Sequence, residues 1–329
     1  MKAWLYRRYG SPDNLSFEEI ETPRPGPSEI AIRVRASSLN AADWHIMLAD
    51  PFLARFVVGL RQPRHPMIVG SDVAGVVDVV GENVTRFSPG DAVYAETMMR
   101  GGCAEVVTIA EDRVGRMPKG SSFEQAAAVP MAGITALAGV RAGGQIEPGQ
   151  TVLVIGASGG VGTFAVQIAH AYGFTVTAVC RTEAVEMVRS LGADEVIDYT
   201  AERAADAGRT YDLVVNVGGT YSLRALRRTL TRHGTLAAVG GSQRGGLLGP
   251  GSVAMRGAAL SPFVPQRIVR VEGKGNSSDL ASLAQMIESG DVTPVIDRVF
   301  DLSETPDAMR YLENGHPRGK IVITVGRGS

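Results

Sequence analysis

The residues best suited to chemistry form one run, Val152-Leu-Val-Ile-Gly156-Ala-Ser-Gly159-Gly160-Val-Gly162. An apolar strand enters a glycine turn, and the turn opens a helix. Glycines let the chain turn tightly and let its backbone approach a pyrophosphate, while the helix N-terminus offers free N–H groups and a positive dipole end. This strand–turn–helix context predicts dinucleotide binding; the bland alternative is a turn that only packs a helix on a sheet. The next strand ends Val179-Cys180-Arg181-Thr182. An acid at that point would bond a ribose 2′-hydroxyl, but Arg181 stands there, and a guanidinium pairs with a 2′-phosphate. The residues therefore predict NADPH. The alternative makes Arg181 a solvated surface residue and Glu183 the ribose ligand.

A metal would change the chemistry that a hydride donor can do. The chain has two cysteines, Cys103 and Cys180, and its histidines His45, His65 and His316 are scattered. Neither a Cys/His/Cys set nor a four-cysteine cluster can be drawn from them, so no metal is expected. Without a Lewis acid, hydride transfer needs an acceptor that is already electrophilic. Quinones and α,β-unsaturated carbonyls qualify; simple ketones are poorer. Phe52, Phe56, Val57 and Leu60 offer either an apolar pocket wall suited to such substrates or plain core.

The elements that must position these residues follow from the pattern along the chain. The first 120 or so residues read as β-rich, with short strands at 2–6, 16–21, 73–80 and 104–109. Glu29–Ser37 alternates, with Ile30, Ile32, Val34 and Ala36 on one face. Ser122 and Gln125 offer a capping box ahead of an alanine-rich helix. Beyond it, strands at 151–155, 175–180, 195–197, 213–217 and 236–239 alternate with helices at 160–172, 182–191 and 222–230. Near-continuous apolar strands in such βα units predict a doubly wound parallel sheet. Helices at 278–289 and 304–313 and a strand at 320–325 close the chain.

Composition narrows the function classes. Of 329 residues, 44% are hydrophobic and 20% charged, which excludes a disordered chain. The 33 basic residues meet 34 acidic ones without a basic block, which argues against nucleic acid as a partner. The 29 arginines and 4 lysines point to a GC-rich genome rather than to phosphate binding. Two cysteines exclude a disulfide scaffold and fit a reducing compartment. The first residues lack an apolar core of a signal segment, and no stretch of about 18 apolar residues occurs. The expectation is a cytoplasmic protein with no membrane partner.

The sequence resembles the zinc-free medium-chain dehydrogenase/reductase superfamily in its quinone oxidoreductase, zeta-crystallin-like branch. The signature runs Gly149-Gln150-x-x-Leu153-x-x-x-Ala157-Ser158-Gly159-Gly160-x-Gly162 to Gln167, departing only at His170. Asn40-Ala-Ala-Asp43, Gly70-Ser-Asp72-Val-Ala-Gly75, Pro89-Gly90-Asp91, Leu191-Gly-Ala-Asp194 and Val196-Ile-Asp-Tyr199 also match. The resemblance implies an α/β chain: a GroES-like β-rich catalytic domain over 1–122, completed by 266–329, plus a Rossmann doubly wound parallel sheet over 123–265. It implies that Ser158, Gly159, Gly160 and Val161 hold the pyrophosphate. Arg181, Thr182 and Tyr199 would lie near the adenosine phosphate, with an interface or packing role open for Tyr199. Thr135, Val217 and Val239 would lie near the nicotinamide. The positions of zinc ligands read Asn40 and Ser71-Asp72. Where related enoyl reductases carry a tyrosine proton donor, this chain has Phe52. Asn40, Asp43 and His45 are then the polar candidates, with Asn40 and Asp43 taken as the catalytic pair. The alternative is that Asp43 and Asn40 orient a loop or the nicotinamide ribose while solvent supplies the proton. A homodimer through the segment 258–263 is implied by the family alone. The expected activity is NADPH-dependent hydride transfer to a quinone or enone. An alcohol or carbonyl oxidoreductase of secondary metabolism, and a nucleotide-binding protein without robust turnover, remain the alternatives.

Overall fold

The computed structural model describes every residue except 51–54, 99, 146, 148, 203, 205–207, 219–220, 240–256, 258–263, 272, 315–316 and 327–329. Phe52, His316 and the segment 258–263 lie outside the described residues. The chain forms two compact units, one of Met1–Ile134, Lys274–Gly290 and Pro294–Ser329, the other of Thr135–Gly273 and Asp291–Thr293.

In the first unit, strands β1 (Lys2–Tyr6), β2 (Leu15–Glu19), β3 (Glu29–Leu39), β4 (Met67–Ile68), β5 (Asp72–Val80), β6 (Ala92–Glu96), β7 (Val106–Ala110) and β8 (Val114–Arg116) are followed by helix α3 (Phe123–Ala127). Helices α1 (Ala41–Leu48) and α2 (Arg55–Val58) lie between β3 and β4. After the second unit the chain returns as α8 (Ser277–Glu288), β15 (Ile296–Asp301), α9 (Thr305–Asn314) and β16 (Lys320–Thr324). The main sheet runs β15-β16-β3-β5-β6-β8, with β7 also on β3. Ile30, Ile32, Val34 and Ala36 of β3 are buried as the alternation requires, and Ile30, Ile32 and Val34 pack with Val73, Val93, Ile109 and Val114. Each such aliphatic side chain contributes roughly 1.5–3 kcal/mol. The last strand, β16, pairs antiparallel with β3, setting Ile321 against Leu39 and Thr324 against Ala36. Thus the chain's end completes its first unit.

The second unit carries β9 (Thr151–Ile155), α5 (Gly160–Ala171), β10 (Thr175–Cys180), α6 (Val185–Ser190), β11 (Glu195–Asp198), β12 (Tyr211–Asn216), α7 (Leu223–Arg228), β13 (Leu230–Ala238) and β14 (Arg267–Arg270). Helix α4 (Pro130–Arg141) enters it from the first unit. All six strands are parallel in the order β11-β10-β9-β12-β13-β14. That is the doubly wound dinucleotide-binding order, with its switch point between β9 and β12.

Two boundaries differ from the sequence expectation. The first unit reaches Ile134 rather than residue 122, because α3 packs on β3 and β5. The second reaches Gly273 rather than residue 265, because β14 adds a parallel strand beside β13. Four residues of only moderate apolarity, Arg267-Ile-Val-Arg270, gave too weak a strand signal in sequence.

Candidate active site

The parallel sheet gathers the predicted cofactor residues at the carboxyl ends of its strands. Ser158, Gly159, Gly160 and Val161 follow β9, Arg181 and Thr182 follow β10, Tyr199 follows β11, Val217 follows β12 and Val239 follows β13. Ligands of such sheets bind beyond these ends, at the switch point. The turn is held by its own backbone: the N–H groups of Gly156 and Ala157 donate to the Val179 carbonyl at 3.2 and 3.0 Å. Gly156 sits at φ 81°, in the left-handed region. Gly162 is required by packing, since a Cβ there would lie 2.0 Å from the Gly156 carbonyl oxygen. A Cβ on Gly159 would meet only that same oxygen at 3.6 Å, and one on Gly218, after β12, would meet nothing within 4 Å. The first turn of α5 leaves N–H groups without partners inside the helix. Open space beside the turn and unpaired donors suit a pyrophosphate.

Two further groups fit a bound dinucleotide. Arg181 is half-buried, its carbonyl accepts from Ala184 N–H at 3.0 Å, and its guanidinium makes no hydrogen bond or ion pair among the described residues. Glu183, the competing candidate, is not free of partners within the chain. Thr182 is committed, its hydroxyl donating to Asp198 Oδ2 at 2.6 Å. Its hydrogen bonds with Thr182 and Thr200 hold the Asp198 carboxyl below the usual carboxylate range. Tyr199 is 48% exposed, so its ring is not a packing tyrosine of this unit. Asn216, at the end of β12, was missed in sequence: it is buried, yet its Oδ1 has no partner among the described residues. A buried amide oxygen without a donor is costly unless a ligand supplies one. On the sheet's flank, Thr135 of α4 abuts Gly273, where a Cβ would come 2.5 Å from its hydroxyl. Gln167, the end of the signature, is structural. Its amide donates to the Thr163 and Thr293 carbonyls at 2.9 and 3.1 Å, and its Oε1 accepts from Thr293 N–H at 2.8 Å.

The first unit brings Asn40 and Asp43 together but gives them different tasks. Asn40 precedes α1 and is half-buried. Asp43 is 7% exposed, and both of its oxygens are taken: Oδ2 by Asn40 N–H at 2.7 Å, Oδ1 by Ser71 hydroxyl at 2.6 Å and Gly70 N–H at 3.1 Å. The cavity beside it is about 10 Å³, the room of one water and too little for a quinone. Burial pushes the Asp43 carboxyl up to about 6 against the pull of its hydrogen bonds. Asp43 therefore holds α1 against the Gly70-Ser71 turn. His45 is likewise engaged within the chain.

A second cluster surrounds Asn40, and the sequence reading did not assemble it. Its amide Nδ2 donates to Asp72 Oδ2 at 2.7 Å, while its Oδ1 accepts from the Lys320 ammonium. Lys320 also donates to the Leu39 carbonyl and to Asp72 Oδ2, each at 3.3 Å. Asp72 further accepts from Ser38 hydroxyl at 2.8 Å and from Met131 N–H at 2.8 Å. Asp72 is 0% and Lys320 2% exposed. Burial lowers the Lys320 ammonium from its usual value, and the Asp72 carboxylate opposes that fall. The positions that resemble zinc ligands thus hold an amide, a hydroxyl and a carboxylate, with the Lys320 ammonium bonded to the amide and the carboxylate, a set that does not fit a metal ion. Among the described residues no three His, Cys, Asp or Glu are grouped to hold one. Both cysteines are buried and unpaired, and burial pushes their thiols up to about 12 at Cys103 and about 11 at Cys180. Neither is a reactive thiolate. Phe56 and Leu60 are each 58% exposed, so they are not core of this unit.

A GroES-like β unit followed by a doubly wound parallel sheet with a phosphate-shaped glycine turn defines the two-domain dehydrogenase class. Family profiles agree: the alcohol dehydrogenase GroES-like domain matches residues 26–139 and the zinc-binding dehydrogenase domain residues 191–323. The mitochondrial NAD(P)H oxidoreductase RTN4IP1 of Mus musculus is 34% identical over 99% of this chain and 89% of its own. The chloroplastic NADPH-dependent alkenal/one oxidoreductase of Arabidopsis thaliana is 35% identical over 98% of this chain and 79% of its own. The quinone oxidoreductase structure from Coxiella burnetii superposes with a TM-score of 0.87 at 28% identity, covering 99% of both chains. The chain belongs to the medium-chain dehydrogenase/reductase superfamily, in its quinone oxidoreductase branch.

Proposed function

We propose that this chain is an NADPH-dependent, metal-independent oxidoreductase that reduces a quinone or an activated alkene such as an enone. The observation that carries the reading is the buried Asn40–Asp72–Lys320 cluster. Asn40 and Asp72 stand where a Lewis-acid relative would place metal ligands, and the Lys320 ammonium bonded to both already supplies the positive charge there, so the acceptor must bring its own electrophilicity. The names of the alkenal/one and quinone oxidoreductase relatives support the same acceptor class.

In this reading Ser158, Gly159, Gly160 and Val161 hold the pyrophosphate, Arg181 pairs with the 2′-phosphate, and Thr182 and Tyr199 border it. Thr135, Val217 and Val239 flank the nicotinamide, and Asn216 offers its buried amide oxygen to a cofactor donor. NADPH would supply the hydride. An enone gains that hydride at its β-carbon, its π pair moves to oxygen, and a solvent proton at the α-carbon completes the saturated ketone. Asn40 touches the substrate oxygen as a hydrogen-bond donor; Asp43 sets the loop that carries it. The first unit's chemistry in this reading is therefore electrostatic.

Absorbance at the reduced-cofactor band tests this, with quinones, enones and saturated ketones offered in the presence of a chelator. Chelator-resistant NADPH consumption with quinones or enones is expected. Turnover confined to ketones, or lost to the chelator, would overturn the reading.

Two further features belong to the same proposal. The buried, unpaired cysteines fit the cytoplasm, although the RTN4IP1 relative is named mitochondrial; cell fractionation showing the protein in an organelle would reject this. No helix among the described residues is long and apolar enough to cross a membrane. A homodimer is proposed on the family resemblance alone, and a sedimenting mass near the 34.7 kDa of one chain would reject it.

A further inference from the structure

We infer that Lys320 and Asp72 are positioning residues, which lock the Asn40 carboxamide in one orientation and leave its second Nδ2–H to bind the substrate oxygen as negative charge develops there. The inference rests on the quinone or enone reading above.

The donor inventory makes the lock specific. An ammonium has three donors and an amide nitrogen has two. Those of Lys320 are engaged by Leu39 carbonyl, Asn40 Oδ1 and Asp72 Oδ2. One amide hydrogen of Asn40 is engaged by Asp72 Oδ2, and the other makes no bond among the described residues. Turning the carboxamide over would set its NH₂ against the ammonium and its oxygen against the carboxylate. Two attractions would become two repulsions in a buried site, so a single orientation survives. Asp72 is itself pinned from outside this triangle by Ser38 and Met131. The ammonium on Oδ1 also draws electron density from the amide, which strengthens its remaining N–H as a donor.

Stability alone is a poor reason for such a pair. A buried ion pair is often no better than apolar residues of the same volume. Yet the chain commits one of its 4 lysines to the head of an otherwise apolar strand, where all five residues are buried. The gain is a fixed donor that needs no reorganisation when charge develops.

The test is a double-mutant cycle on steady-state enone or quinone reduction. Asn40→Ala is expected to lower kcat about 10²-fold, with the Kd for NADPH unmoved. Lys320→Met should lower kcat by a similar factor in the wild-type background and by less than about threefold in Asn40→Ala. Equal losses in both backgrounds would show that Lys320 serves only the fold and would overturn the inference. If Lys320→Met alone strands the Asp72 charge and unfolds, the charge-balanced pair Lys320→Met with Asp72→Asn replaces it in the same cycle. Wild-type protein that reduces no quinone or enone would overturn the underlying reading instead, and this inference with it.

Discussion

The two units hold their functional groups in opposite ways. The cofactor edge of the parallel sheet is built from one short run, Gly156–Gly162, and from the residues at the ends of consecutive strands. The polar cluster of the first unit joins Asn40, Asp72 and Lys320, the last two lying 248 positions apart in the chain. At the first site the backbone supplies the donors, and glycines matter for what they leave open. At the second, three side chains supply the central groups, with the Leu39 carbonyl and Met131 N–H bonded around them. Local backbone sites tolerate change in flanking side chains; assembled side-chain sites fail as a unit.

The largest expected effect separates packing from binding within the glycine turn. Gly162→Ala would place a methyl 2.0 Å from the Gly156 carbonyl oxygen, and about 3 kcal/mol of stability should be lost to overpacking. Gly159→Ala meets nothing closer than 3.6 Å. It should keep the wild-type melting temperature while weakening NADPH binding. Thermal melts with and without cofactor distinguish the two; equal melting losses would remove the phosphate role from Gly159.

Asp43 of the first unit should make stability depend on pH. Folding raises the Asp43 carboxyl from 3.8 to about 6, so the folded state binds the extra proton between those values. Stability from this group is therefore present at low pH and lost as pH rises through about 6. Asp72 and Lys320 bear on the same carboxyl, and the Tyr6 phenol, raised by burial, lies beside it. A rise of that size corresponds to about 3 kcal/mol. The stability of wild type relative to Asp43→Asn should fall by that order between pH 4 and pH 7 in urea titrations. A pH-independent difference would mean that Asp43 folds already ionised.

Arg181→Ala sharpens the cofactor side. Losing a charge-assisted contact of roughly 1.5–3 kcal/mol should raise KM for NADPH about 10–100-fold and leave NADH unchanged. Equal effects on both cofactors would sink the 2′-phosphate assignment. The smallest effect belongs to Gln167→Ala, which frees the Thr293 N–H and carbonyl from their side-chain bonds. About 1–2 kcal/mol of stability should go, with KM for NADPH intact; a raised KM would give Gln167 a role in binding.

What the sequence revealed follows the same division. The parallel sheet was readable because apolar strands and amphipathic helices alternate within about 30 residues, and because the glycine spacing is contiguous. Arg181 could be placed by counting from the glycines. The Asn40–Asp72–Lys320 cluster was not readable as a unit. Asn40 and Asp43 stood in one matching stretch, but nothing local says that Asp43 turns inward to Ser71 while Asn40 turns to Asp72. Lys320 carried one signal, a lysine heading the apolar run Ile321-Val-Ile-Thr324; its partners lie on other strands, which only the β16–β3–β5 pairing brings together. Asn216 was hidden for a similar reason, since an unsatisfied amide is a property of packing. The edge strand β14 escaped because arginines flank only two apolar residues.

Where the hydride lands decides the central claim most directly. The protein would be given NADPH deuterated at the transferable C4 position and an enone, and the product's label located by mass spectrometry and NMR. One deuterium at the β-carbon of a saturated ketone is predicted. Deuterium at the carbonyl carbon, in an allylic alcohol, would contradict the account and make the protein a carbonyl reductase.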